Sequence, residues 1–134
     1  MPTSKITYVG ELRTTCIHLQ SGTEIFTDAP TDNHGRGEAF SPTDLVATAL
    51  GSCMVSIMAI KTKDLDIELK DSTISVTKVM QSEPRRISKI IVALDMAIGT
   101  SDKNKIILER AAMTCPVLLS LHPDIEKEVT FNWK

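Results

Sequence analysis

Cys16, Cys53 and Cys115, together with Arg36, are the side chains of this 134-residue sequence best equipped for covalent or redox chemistry. A thiol reacts as its thiolate, so near neutral pH it needs a neighbouring cation or a helix N-terminus to draw its proton off. Arg36 is the nearest basic residue before the segment that carries Cys53. His18, His34 and His122 are scattered, and no C-x-x-C, C-x-x-H or H-x-x-x-H spacing occurs, so a zinc site has little support. A G-x-S-x-G elbow, a glycine-rich phosphate loop and a dinucleotide fingerprint are also absent.

The three thiols differ in setting. Cys53 stands in "FSPTDLVATALGSCM", on one helical face with Leu45, Ala49 and Ile57. Free cysteines are common in packed interiors, and that structural reading stands beside a reactive one. Gly51, Ser52 and Ser56 are small neighbours that let a helix, a backbone or a ligand approach the thiol. Cys115 is followed by Pro116, which removes a backbone donor and bends the chain, so the thiol is expected near a helix end. Packing and reactivity are equally open there. Cys16, between Thr15 and Ile17, reads as structural.

Positioning these residues requires a folded core, and the composition supplies one. Hydrophobic residues make up 42% and charged residues 24%, ordinary for a globular protein, and the length suits a single domain over residues 1–134 without disulfide staples. A net charge of −2 with mixed signs argues against a nucleic-acid partner. The N-terminus has no apolar signal core, so a cytoplasmic protein is expected, with no membrane association. In a reducing compartment an odd set of three cysteines points to catalytic or redox-sensing use of any disulfide.

"KITYVGELRTTCIHL" and "TEIFTDA" alternate like strands, interrupted at Gly10-Glu11 and Ser21-Gly22. "PTDNHGRGEAF" is a loop. A helix then starts with Ser41 as cap, Pro42 at the first position and Asp44 at the capping-box position. Sixteen residues from Leu45 to Ile60 carry no charge. That helix should be buried in a core or partner interface, being too short and too rich in Ser and Thr for a bilayer. "DSTISVTKVMQ" and "ISKIIVALDMAI" are strands around the turn "SEPRR". "GTSDKNKIILERAAMTC" is a second helix capped by Thr100 or Ser101, stopping before Pro116, and "PVLLSLHP" begins a short new one. "EKEVTFNW" closes the chain as a strand. The order is β-β-β-α-β-β-α-β in an α+β fold.

The segments "SPTDLVATALGSCM" and "AAMTCPVLLSL", with a strand-rich N-terminus and an arginine-bearing glycine loop, resemble the family of osmotically inducible protein C and the organic hydroperoxide resistance protein (OsmC/Ohr). The family pattern has Asn/Ser-Pro, an acidic residue, a small-residue run and a cysteine eleven residues after the proline, as Cys53 is after Pro42. Its second motif is Cys-Pro, here Cys115-Pro116. The resemblance implies an OsmC-like fold in an intertwined homodimer with two central buried helices. It implies thiol-based reduction of organic hydroperoxides, and more weakly of hydrogen peroxide. Cys53 maps to the peroxidatic cysteine and Cys115 to the resolving one. Arg36 would stabilise the thiolate and the peroxide, and an external dithiol, such as a lipoyl-type one, would be the reductant. No cofactor or metal is implied.

Two departures from the family pattern mark a divergent branch, the first being a short loop that holds Arg36 only six residues before Pro42. Thr43 stands where well-studied members have a glutamate that pairs with the arginine. Asp44, one place later, and Glu38, in the loop, are the nearest acids to take that part. The missing glutamate motivates an alternative on the same fold, a ligand-binding or redox-sensing dimer without enzymatic activity. A plain interaction protein with two core cysteines is a further one.

Overall fold

The computed structural model describes residues 1–134. It has two compact units, Met1–Leu45 and Val46–Lys134. The N-terminal unit is an antiparallel meander of β1 (Ser4–Gly10), β2 (Arg13–His18) and β3 (Glu24–Asp28). Ile6 faces Cys16 and Cys16 faces Ile25 across this sheet, so the three share one face. The turn between β1 and β2 puts Glu11 and Leu12 at φ 53° and 64°. Both are left-handed, as a two-residue hairpin whose twist matches its strands demands. After β3 a short 3₁₀ turn (Thr31–Asn33) opens the loop that carries Arg36. Pro30 O accepts from both Asn33 N and Gly35 N at 2.9 Å, which folds the loop into a tight knot.

Helix α1 (Pro42–Thr62) follows, started by the capping box expected from the sequence. Asp44 N–H donates to Ser41 Oγ, and Ser41 N–H donates to Asp44 Oδ2, each at 3.0 Å. At 21 residues α1 is long and apolar enough to cross a membrane by length and composition, so the argument from shortness does not hold. What it does in the fold is pack. Ala47, Leu50, Gly51, Met54, Met58 and Thr62 form one buried stripe. Burying each of the large members contributes about 1.5–3 kcal/mol relative to exposure. Burial is one-sided within the chain, for Val46 and Ile60 on other faces are exposed.

The stripe belongs to the core of the C-terminal unit. Strands β4 (Thr73–Gln81), β5 (Arg86–Asp95) and β6 (Glu126–Asn132) form its sheet in that order. β5 runs antiparallel to β4 and parallel to β6. The return from β5 to β6 is made by α2 (Asp102–Ala112) and α3 (Pro116–Ser120). Ile90, Val92 and Leu94 alternate along β5 and are fully buried, beside α1's Leu50, Met54 and Met58 and α2's Leu108. Gly51 marks the closest approach: a β-carbon there would lie 2.8 Å from Val76 Cγ2 and 3.0 Å from Ile74 Cγ2. A residue without a side chain is what lets α1 settle onto β4. The observed order is the expected β-β-β-α-β-β-α-β, with α3 as the short extra helix after Pro116.

Candidate active site

Cys53 lies in α1 one residue before the buried Met54 and is itself partly buried against the core. Cys115 reaches the same place from the other side of the sequence. α2 ends at Ala112, the chain turns, and Pro116 starts α3 at a position where its missing N–H costs nothing. Cys115 is thereby the cap of α3, and its sulfur accepts the Leu118 N–H at 3.4 Å. The residue has 0% exposure.

The fold places these two thiols beside one another, both in the reduced state. The Cys115 thiol is pushed above its usual pKa, first by burial and then by the adjacent Cys53. The Leu118 and Val117 backbone N–H groups pull the other way and do not overcome it. A buried, protonated thiol beside a second, more accessible one is a pair able to cycle between dithiol and disulfide.

Arg36 belongs to the N-terminal unit. Its guanidinium Nη2 is bonded to the carboxylate of Glu11 in the β1–β2 turn. Neither of the acids nearest in sequence makes that bond. Glu38 lies 3.9 Å from Arg13, at salt-bridge distance, and Asp44 closes the capping box of α1. Thr43, at the position of the missing glutamate, has its hydroxyl 3.2 Å from Ser41 Oγ.

Sequence reasoning missed a second arginine. Arg13 forks onto the fully buried Asp28 through Nε at 2.7 Å and Nη2 at 2.9 Å. Its guanidinium also lies 5.5 Å from the centre of the Phe26 ring. Asp28 in turn accepts the Glu38 N–H at 3.1 Å, tying the Arg36 loop to β2 and β3. The Arg13 fork holds the Asp28 carboxyl below the usual carboxylate range. The only advance signal was an arginine and an aspartate on neighbouring strands, and register alone decides whether such a pair meets.

The remaining candidates have local duties. Cys16 is partly buried with Thr14 Oγ1 3.7 Å from its sulfur. His18 Nδ1 is 2.6 Å from Ser21 Oγ within an exposed turn, and His122 Nδ1 accepts the Asp124 N–H. No three of the His, Cys, Asp and Glu side chains converge as a metal site.

Comparison with known proteins follows the same lines. The family model described as OsmC-like protein matches residues 35–130. A crystal structure from Psychrobacter arcticus 273-4, of a candidate osmotic stress induced and detoxification response protein, is 53% identical with a TM-score of 0.94. The alignment covers 98% of this chain and 96% of that one. An organic hydroperoxide resistance protein OsmC from Legionella pneumophila shares the fold at 13% identity and a TM-score of 0.75, over 98% of both chains. One from Elizabethkingia anophelis does so at 16% identity and a TM-score of 0.75, over 100% of this chain and 98% of that one. No curated protein matches the sequence.

Proposed function

Because the chain belongs to the OsmC-like protein family, we propose that it is a thiol peroxidase that reduces organic hydroperoxides, and hydrogen peroxide more weakly. The observation that carries this reading is the juxtaposition of the partly exposed Cys53 and the buried Cys115. Proteins of the same fold named for organic hydroperoxide resistance support it.

In this reading the Cys53 thiolate attacks the outer oxygen of the peroxide. The O–O bond breaks, the alkoxide leaves and takes up a proton as the alcohol, and Cys53 becomes a sulfenic acid. Cys115, its neighbour, attacks the sulfenic sulfur. Its proton and the hydroxyl leave as water, and a Cys53–Cys115 disulfide remains. An external dithiol, such as a lipoyl-type one, reduces it by two exchange steps and is itself oxidised. Keeping Cys115 protonated until that moment suits a resolving thiol, since it does not compete with Cys53 for the oxidant.

Arg36 is the proposed cation for the thiolate and the peroxide, with Glu11 holding its guanidinium in the place given to Asp44 or Glu38 from the sequence. The working form is a cytoplasmic homodimer. Exposed Ile6, Tyr8, Ile25, Phe26 and Phe40 in the N-terminal unit, and separately Val46 and Ile60 in the C-terminal unit, are apolar surfaces that a second subunit would cover.

The test is stopped-flow oxidation of the reduced protein by cumene hydroperoxide and by hydrogen peroxide, with intact-mass analysis of the product. The expected result is rapid loss of two thiols to a Cys53–Cys115 disulfide, faster with the organic peroxide. Thiols that stay reduced in excess oxidant would sink the proposal and leave a ligand-binding or sensing role for the fold.

A further inference from the structure

Asp28 is a buried acid that the peroxidase reading leaves without a task, and it ends β3 where the Arg36 loop begins. Its carboxylate accepts from three donors. Oδ1 takes Arg13 Nε at 2.7 Å, and Oδ2 takes both Arg13 Nη2 at 2.9 Å and the Glu38 N–H at 3.1 Å. The backbone closes the loop at the same place. Asp28 N–H donates to Phe40 O at 3.1 Å, and Gly37 N–H donates to Ala29 O at 3.3 Å. Residues 30–36 thus leave and return through one pinch, and Arg36 is the last residue before the chain re-enters it.

The bond from Arg36 to Glu11 does not fix the guanidinium by itself. Glu11 is 78% exposed and Arg36 36%, and water screens such a pair while two long side chains must be ordered to make it. The Asp28 anchor differs in kind. Its carboxylate is out of water, and the two arginine bonds that hold it form a planar fork. Gly37, at φ 62°, joins the anchored Glu38 to Arg36 through a left-handed backbone that a residue without a side chain takes freely. Arg36 also lies near enough to help hold the Asp28 carboxyl ionised. A buried carboxylate kept for stability alone is satisfied by the fork. The third bond serves the loop.

We propose that Asp28 is a positioning residue: by holding the Glu38 N–H it fixes where Arg36 presents its charge to the thiolate and the peroxide. The inference rests on the peroxidase reading, with Arg36 as its cation. Misplacing such a group by about 1 Å costs up to about a hundredfold in rate, so the effect is large enough to read.

The experiment is a double-mutant cycle between Asp28→Asn and Arg36→Ala, read as the stopped-flow rate of Cys53 oxidation by cumene hydroperoxide. Asparagine keeps the shape but has one acceptor oxygen for three donors. Arg36→Ala should slow oxidation about tenfold, Asp28→Asn by a similar factor, and the double variant no more than Arg36→Ala alone. A folded Asp28→Asn that reacts at the unaltered rate overturns the proposal. So does a double variant slowed by the product of the two factors, since Asp28 would then act without Arg36. An Arg36→Ala rate equal to the unaltered one overturns it too and leaves the peroxidase reading in place. Where Asp28→Asn fails to fold, Arg13→Lys carries the test, because it keeps a cation on the buried carboxylate and loses the fork. It should slow the unaltered protein about threefold and Arg36→Ala not at all; no slowing of either overturns the proposal.

A second readout needs no peroxide: the Arg36 guanidinium N–H resonances in nitrogen-15 NMR. They should be dispersed and slow to exchange in the unaltered protein, and should collapse toward free arginine in Asp28→Asn and in Arg13→Lys. If they collapse while no oxidant touches Cys53 in any form, the peroxidase reading fails and the placement of Arg36 by Asp28 stands. If they are unmoved in the folded variants, the placement fails whatever the rates do.

Discussion

Cys53 and Cys115, far apart in sequence, hold their thiols side by side, and the Cys115 sulfur also caps α3 through the Leu118 N–H at 3.4 Å. One sulfur thus serves both as a helix cap and as the neighbour of a reactive thiol. The two duties can be separated by mutation.

Cys115→Ser should keep the fold, because serine caps a helix start well. With no second thiol to close the disulfide, Cys53 should stop at the sulfenic acid and go on to the sulfinic acid under excess peroxide. Intact mass should show the addition of one and then two oxygens, with the first oxidation within about twofold of the unaltered rate. A variant that still loses two thiols to a disulfide would exclude Cys115 as the resolving residue.

The raised pKa of Cys115 makes stability depend on pH in one direction. The folded chain retains a proton that the unfolded chain releases above the ordinary thiol value of 9.0. This contribution is complete below that value and is lost as pH rises through the folded pKa. Asp28 gives the opposite limb: its lowered pKa stabilises the fold above its ordinary value of 3.8, and the benefit fades as pH falls through the folded pKa. Urea unfolding against pH should show both declines. Cys115→Ala should flatten the alkaline one and leave the acid one in place.

Gly51→Ala tests the contact of α1 with β4. Alanine gains about 1 kcal/mol of helix propensity. Its methyl would meet Val76 and Ile74 at 2.8 and 3.0 Å, and these β-branched side chains have little freedom to yield. Overpacking costs about 1–3 kcal/mol, so a net loss of about 1 kcal/mol is expected in chemical denaturation. A stabilised variant would show that the helix and sheet can part without penalty.

Gly35→Ala should disturb the Arg36 loop. A β-carbon there would fall 1.7 Å from Ala29 O and 2.1 Å from Ala29 C, and backbone atoms cannot step aside as a side-chain tip can. The loop must then leave its seat on Ala29 and Pro30, at a cost of about 1–3 kcal/mol. Limited proteolysis should cut between Pro30 and Phe40 in the variant before it cuts elsewhere. Unchanged protection would mean the loop is held mainly by the Asp28–Glu38 and Arg36–Glu11 contacts.

What the sequence determined by itself lies within a turn or two of chain. The Ser41–Asp44 box, the Ser101 cap that accepts the Asn104 N–H, and the break at Cys115-Pro116 are all interactions between near neighbours. Alternation was enough to find the strands, because burial of one face has the same period wherever a strand lies. Family motifs added the pairing of Cys53 with Cys115 as an expectation.

Tertiary structure decided which groups meet. Strand register sets Arg13 opposite Asp28, and the left-handed β1–β2 turn presents Glu11 to Arg36, in place of the acids closer in sequence. The helical connection after β5 brings β6 back parallel to it. Packing of the core sets Cys115 against Cys53. Such contacts join residues whose separation along the chain carries no distance information. Only the folded core, by fixing register and helix placement together, turns those residue types into a site.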